Sequence, residues 1–146
     1  MRIPRVIFAM VALVIAASAH VSVSPKESKA GTAEKYTVRV PTEGKVSTVS
    51  VDLEVPAGLT VTSVSAPEGA VYETKKENGR IVLITWKLEI KPGDMAELVF
   101  NATNPSDAAS LAWKAHQHFA DKTTADWTGP AGDRRPAAIT KLLVTQ

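Results

Sequence analysis

The sequence contains no cysteine. Disulfides, thiolate metal sites, thiol redox chemistry and cysteine nucleophiles are therefore excluded, and the fold must be held by its core alone. Of the three methionines only Met95 lies beyond residue 19, so a methionine-rich cuprous site is also excluded. Aromatic residues are only 5% of the chain. No Ser-His-Asp spacing, no His-Glu-x-x-His and no phosphate-binding loop occurs. After residue 19 no apolar run approaches the about 20 residues needed to span a bilayer. There is no strong excess of one charge, with 17 Lys and Arg against 15 Asp and Glu.

Residues 1–19 have the order of a secretory signal peptide. Arg2 and Arg5 form a positive start, residues 6–17 an apolar run, and Ala17-Ser18-Ala19 a small-residue cleavage triplet. Cleavage after Ala19 is expected, leaving 127 residues that begin at His20. That is enough for one domain with a real core. The removed segment carries two arginines and no acid, so the rest balances at 15 basic against 15 acidic residues. Without a basic stripe, nucleic acid is not an expected partner. The expected location is periplasmic or otherwise extracytoplasmic, with no membrane span after cleavage.

The remaining chain alternates apolar and polar residues in short runs, the signature of half-buried strands. Val21 and Val23 share one face of 20–24, and Tyr36, Val38 and Val40 one face of 35–40. Val49, Val51, Leu53 and Val55 form the inward row of 49–55, with Ser50, Asp52 and Glu54 outward. Further strands are expected at 59–65, 71–75, 80–90, 95–103, 111–119 and 138–144. Asn78-Gly79 predicts a hairpin between the strands at 71–75 and 80–90. Trp86 and Trp113 lie within apolar strands and read as core. Residues 128–136, rich in Gly, Pro and charge, read as a surface loop. No helical stripe of ten or more residues appears. The expected fold class is all-β, an antiparallel immunoglobulin-like β-sandwich of seven to nine strands.

Cleavage would leave His20 with a free α-amine. The amine nitrogen and imidazole Nδ1 can close a chelate ring, and this pair of nitrogen donors suits tetragonal copper(II). The amine must lose its proton to bind, so affinity should fall with pH. A third donor is required. If the strands at 20–24, 35–40 and 49–55 pair in sequence, His20, Ser22, Arg39 and Asp52 share a surface. Asp52 could then supply an oxygen, with Arg39 holding or balancing it. Acids in such positions as Asp52 and Glu54 are more often simply the solvated side of a strand.

Several ordered blocks carry a more specific signal: His20-Val-Ser-Val-Ser-Pro-Lys-Glu27, Gly31 and Tyr36-Thr-Val-Arg-Val-Pro-Thr-Glu43, followed by Val51-Asp-Leu-Glu-Val-Pro-Ala-Gly58 and Ile84-Thr-Trp86. Next come Ile90-Lys-Pro-Gly93, Trp113-Lys-Ala-His-Gln117 and Trp127-Thr-Gly129. In this order the chain resembles the YcnI-like family of exported bacterial copper-binding proteins. The resemblance implies a copper(II) site in which one N-terminal histidine chelates through amine and ring, completed by an acid and a tryptophan. His20 matches the histidine and Trp127 the tryptophan. Asp52 stands where relatives often carry glutamate, and Glu43 is the other candidate acid. Relatives often have Gly-Trp where this chain has Gly69-Ala70, and Tyr where it has His116.

His116 and His118 share a strand face and could hold zinc or copper with Asp121 or Asp126. If either reached His20, the result would be a two-histidine brace. The leading expectation is a non-enzymatic copper(II) carrier or buffer with His20, Asp52 and Trp127 as metal residues. A copper chaperone or copper transporter would be its exchange partner. Two alternatives remain open at this level: a metal-free immunoglobulin-like interaction module, and a copper oxidase using His20 with His116 or His118.

Overall fold

The structure, a computed structural model, describes residues 20–144. The expected signal peptide, residues 1–19, lies outside the described residues. The order of strands is β1 (Ser22–Ser24), β2 (Glu27–Lys29), β3 (Ala33–Pro41), β4 (Thr48–Glu54), β5 (Thr60–Val64) and β6 (Val71–Glu77). They are followed by β7 (Arg80–Ile90), β8 (Met95–Thr103), β9 (Ser110–Trp113), β10 (Ala115–Phe119), β11 (Thr124–Trp127) and β12 (Ala138–Leu143). One sheet runs β1-β3-β8-β5, a second β11-β10-β4-β7-β6, and a short third β2-β12-β9. All pairs are antiparallel except β12 with β2. No helix among the described residues is long and apolar enough to cross a membrane.

The inward rows meet as the alternation requires. Tyr36, Val38 and Val40 of β3 and Leu98, Phe100 and Ala102 of β8 come from one sheet. Val51 and Leu53 of β4, Ile84 and Trp86 of β7 and Ala115 of β10 come from the other. Tyr36, Phe100 and Trp113 form an aromatic cluster with ring centroids 4.8–5.6 Å apart. The buried indoles are bonded: Trp113 Nε1 donates to Thr140 Oγ1 at 2.9 Å and, outside this cluster, Trp86 Nε1 donates to the Ser65 carbonyl at 2.9 Å. Truncating such a buried ring typically costs about 3–5 kcal/mol, which shows how a cysteine-free core can carry the fold. Asn78 (φ 52°) and Gly79 (φ 75°) make the two-residue turn between β6 and β7, since a hairpin turn of this kind needs positive φ at both centres.

Four local expectations are corrected. Val49 is 39% exposed rather than inward, because the β4–β7 pairing shifts register between Thr48 and Ser50. The expected strand at 111–119 is two strands in different sheets, hinged at Lys114, whose carbonyl accepts from the Glu54 amide at 2.9 Å. Twelve strands replace the seven to nine expected, the additions including the short β2 and β11. Finally, β1 and β3 pair as the shared surface requires, with Ser22 opposite Arg39, but β4 belongs to the other sheet. The shared surface of His20, Ser22, Arg39 and Asp52 therefore does not form. Arg39 instead donates to Ser24 Oγ at 2.8 Å and to Glu97 Oε1 at 3.2 Å.

Candidate metal centre

His20 sits just ahead of β1, an edge strand anchored by the buried Val21 and Val23. The anchor places an exposed histidine at a fixed corner of the sandwich. Its ring lies beside that of Trp127, with centroids 5.6 Å apart and planes inclined at 59°. Both line a cavity of 420 Å³. None of the hydrogen bonds among the described residues uses the His20 ring.

Trp127 closes β11. It is 8% exposed and packs within the core cluster, although the polar loop at 128–136 follows it directly. The ring thus belongs to the core cluster and also neighbours that of His20. Its Nε1 donates to Gln117 Oε1 at 3.1 Å.

Two carboxylates line the same cavity, Glu43 and Asp121, together with the cations Lys45, Arg134 and Arg135. Glu43 follows the end of β3, where Thr42 is pinned from both sides. The Thr42 amide donates to the Asp94 carbonyl at 3.0 Å, the Gly93 amide to the Thr42 carbonyl at 2.8 Å, and Thr42 Oγ1 meets Thr48 Oγ1 at 2.7 Å. Asp121 is occupied in its own turn: its Oδ1 accepts from the Thr123 hydroxyl at 2.6 Å and amide at 3.0 Å. Those two bonds hold its carboxyl below the ordinary aspartate range.

Asp52 is elsewhere. It points outward from β4 in the five-stranded sheet, accepting from Thr85 Oγ1 at 2.7 Å and meeting His118 Nε2 at 2.8 Å. It does not line the His20 cavity. His20 and Trp127 are thus brought together, while Asp52 is not brought to them and Glu43 is.

His116 and His118 share the outward face of β10 as expected, with Gln117 turned inward between them. Neither lines the His20 cavity, so the two-histidine arrangement is not assembled. Both ring nitrogens of His116 are taken: Nδ1 meets Asp126 Oδ1 at 2.6 Å and Nε2 meets Glu54 Oε2 at 2.8 Å. Burial alone would lower the His116 pKa, but the bonds and negative charge of Asp126 and Glu54 outweigh it and raise the value. That imidazole is built to hold a proton. No group of three His, Asp or Glu side chains among the described residues is arranged to hold a metal ion. The candidate acids for this pair divide accordingly: Asp126 bonds His116, whereas Asp121 turns to Thr123.

Sequence reasoning assigned no role to Gln117, Lys45, Arg134 or Arg135. Gln117 was visible only as the end of a sequence block, and the cations only as loop charge.

Residues 20–142 match a protein family described as "Domain of unknown function (DUF1775)". The Copper-binding protein CutI of Bacillus subtilis (strain 168) is 33% identical over 142 residues, covering 95% of this chain and 70% of that protein. A solved structure of an uncharacterized protein from Nocardia farcinica with an immunoglobulin-like fold superposes with a TM-score of 0.77. It is 21% identical and the match covers 88% of this chain and 100% of that one. A cohesin module from the Clostridium perfringens ATCC13124 family 33 glycoside hydrolase gives a TM-score of 0.56 at 14% identity, covering 87% and 98%. Both structural likenesses concern the fold, which is immunoglobulin-like. With a family match across nearly all the described residues and a relative at this identity, the chain belongs to the DUF1775, or YcnI-like, family.

Proposed function

We propose that this protein is an extracytoplasmic copper(II)-binding protein that buffers or carries the ion through a chelate at His20, without enzymatic activity. The observation that carries this reading is the His20 ring, unbonded among the described residues and set beside Trp127 at the mouth of a cavity that also holds Glu43. A relative named for copper binding, similar over 95% of this chain, supports the choice of metal. The family match begins at His20, which supports removal of residues 1–19 and exposure of a new α-amine there.

The donor chemistry fits. An amine and an imidazole nitrogen suit tetragonal copper(II), and a carboxylate is an acceptable third donor. Because no three side chains converge on a metal position among the described residues, the α-amine is an essential member of the set. Glu43 is the acid we assign to it, since it shares the cavity with His20. Trp127 supplies an aromatic wall that shields one side of the ion from water. The amine, with an ordinary pKa of about 8, must be deprotonated to bind. Copper is therefore held at neutral pH and released as the medium acidifies. Exchange with a copper chaperone or transporter follows from such a carrier role.

The test compares the chain starting at His20 with one carrying an additional residue ahead of it, which turns the α-amine into an amide. Copper(II) EPR and tryptophan fluorescence are recorded on both. Only the authentic chain should give a one-to-one tetragonal nitrogen and oxygen spectrum with quenching. Equal binding by both would move the metal away from His20, and binding by neither would favour an interaction module.

A further inference from the structure

Gln117 is a buried amide in the middle of the inward row of β10, 2% exposed. An apolar side chain would fill that position without the desolvation cost of an amide. Three of the amide's four bonding positions are used, by groups from three different elements. Nε2 donates to the Pro41 carbonyl at the end of β3 at 2.9 Å and to Thr48 Oγ1 at the start of β4 at 2.8 Å. Oε1 accepts from Trp127 Nε1 on β11 at 3.1 Å. The orientation of the amide follows from its partners, because an indole nitrogen only donates and a carbonyl only accepts. Thr48 continues the chain to Thr42 Oγ1 at 2.7 Å, and Thr42 is the residue before Glu43. The Gln117 side chain is thus the common support of the tryptophan beside His20 and of the backbone corner that carries Glu43.

We propose that Gln117 is a positioning residue for the His20 site: it bonds neither His20 nor Glu43, but its amide sets the Trp127 ring against His20 and fixes the Pro41–Glu43 corner facing them. The proposal rests on the His20 reading for its copper consequence and on Trp127 geometry for its structural one. Outer partners that orient a metal site are worth about tenfold to a hundredfold in affinity, and a buried hydrogen-bond network restricts the orientations its members can take.

The experiment uses the chain starting at His20 with Gln117→Met, which keeps the side-chain length and removes all three bonds. In metal-free protein, NMR reads the Trp127 indole N–H and the ring protons of His20, which lie within the ring-current field of Trp127. The variant should shift the indole resonance and collapse the His20 ring-current shift, and copper(II) affinity should fall about tenfold or more. The double variant with Trp127→Phe should lose less affinity than the two single losses combined. Unchanged His20 shifts and unchanged affinity, even with a lowered denaturation midpoint, would reduce Gln117 to a structural residue and overturn the proposal. Should Gln117→Met fail to fold, Thr48→Val removes one of the three amide bonds while leaving the Trp127 ring itself unchanged. It must then perturb the His20 shifts, and silence there overturns the proposal equally. Failure of the copper reading itself would be seen in the wild type, as absent or extension-insensitive copper binding, while the metal-free shifts still decide the role of Gln117.

Discussion

The two histidine sites of this protein treat the same side chain in opposite ways. On the outward face of β10, His116 has carboxylates on both ring nitrogens and His118 has Asp52 on one. At the head of β1, His20 has an aromatic neighbour and a cavity but no hydrogen bond to its ring among the described residues. An imidazole enclosed by carboxylates is stabilised as the cation, which no metal can use. An imidazole left unpaired beside a cavity keeps its lone pair available. Proximity of histidine to acid is therefore a poor indicator of a metal site when the acids are already spent on the proton.

This contrast can be broken most severely at the histidines themselves. His20→Ala should abolish one-to-one copper(II) binding measured by EPR titration, whereas His116→Ala and His118→Ala should leave it intact. The acids should divide the same way with a smaller effect. Glu43→Gln should weaken copper(II) binding by at least about tenfold, the size attached even to outer partners of metal ligands. Asp52→Asn should leave the affinity unchanged and alter only the NMR resonances of the His118 ring, which Asp52 meets. The reverse outcome would restore Asp52 as the ligand acid and require the strands to rearrange around it.

The proton side gives a gentler test. His116 is raised above its ordinary value in the folded state. Its stabilising contribution is therefore fully present below the unfolded pKa, about 6.5, and is lost as pH rises through the folded value. Glu54→Gln and Asp126→Asn should each lower the His116 pKa in an NMR titration. Each should also reduce stability at pH 5 more than at pH 9 in denaturant unfolding. The smallest change is expected at Asp121. Thr123→Val removes one of the two bonds that lower its carboxyl, so its pKa should rise toward the ordinary value with little effect on copper.

Much of the fold was legible along the chain. The rows Tyr36, Val38, Val40 and Val51, Leu53, Val55 are buried as their spacing required. Trp86 and Trp113 are core residues, and Asn78-Gly79 turns the expected hairpin. Val49 failed because a register shift is set by the partner strand, and that partner lies about forty residues away at Lys87 and Ile90. The break at Lys114 was hidden for a similar reason. Leu111, Trp113, Ala115 and Gln117 all stay inward across it, so the period never falters while the chain changes sheets.

The sequence by itself determined the strand periods, the turn chemistry, the absence of thiol chemistry and the family. It also singled out His20 and Trp127 through residues quoted in order. Each of these rests on local covalent pattern, which survives reading one residue at a time. Only the tertiary structure decided which sheet each strand joins, and with that which acid faces His20. Asp52 and Glu43 are both acids in suitable blocks, and moving β4 into the second sheet separated the first from His20 while the end of β3 carried the second to the cavity. The support from Gln117 was equally invisible, because its meaning lies in bonds to Pro41, Thr48 and Trp127 that only long-range packing creates.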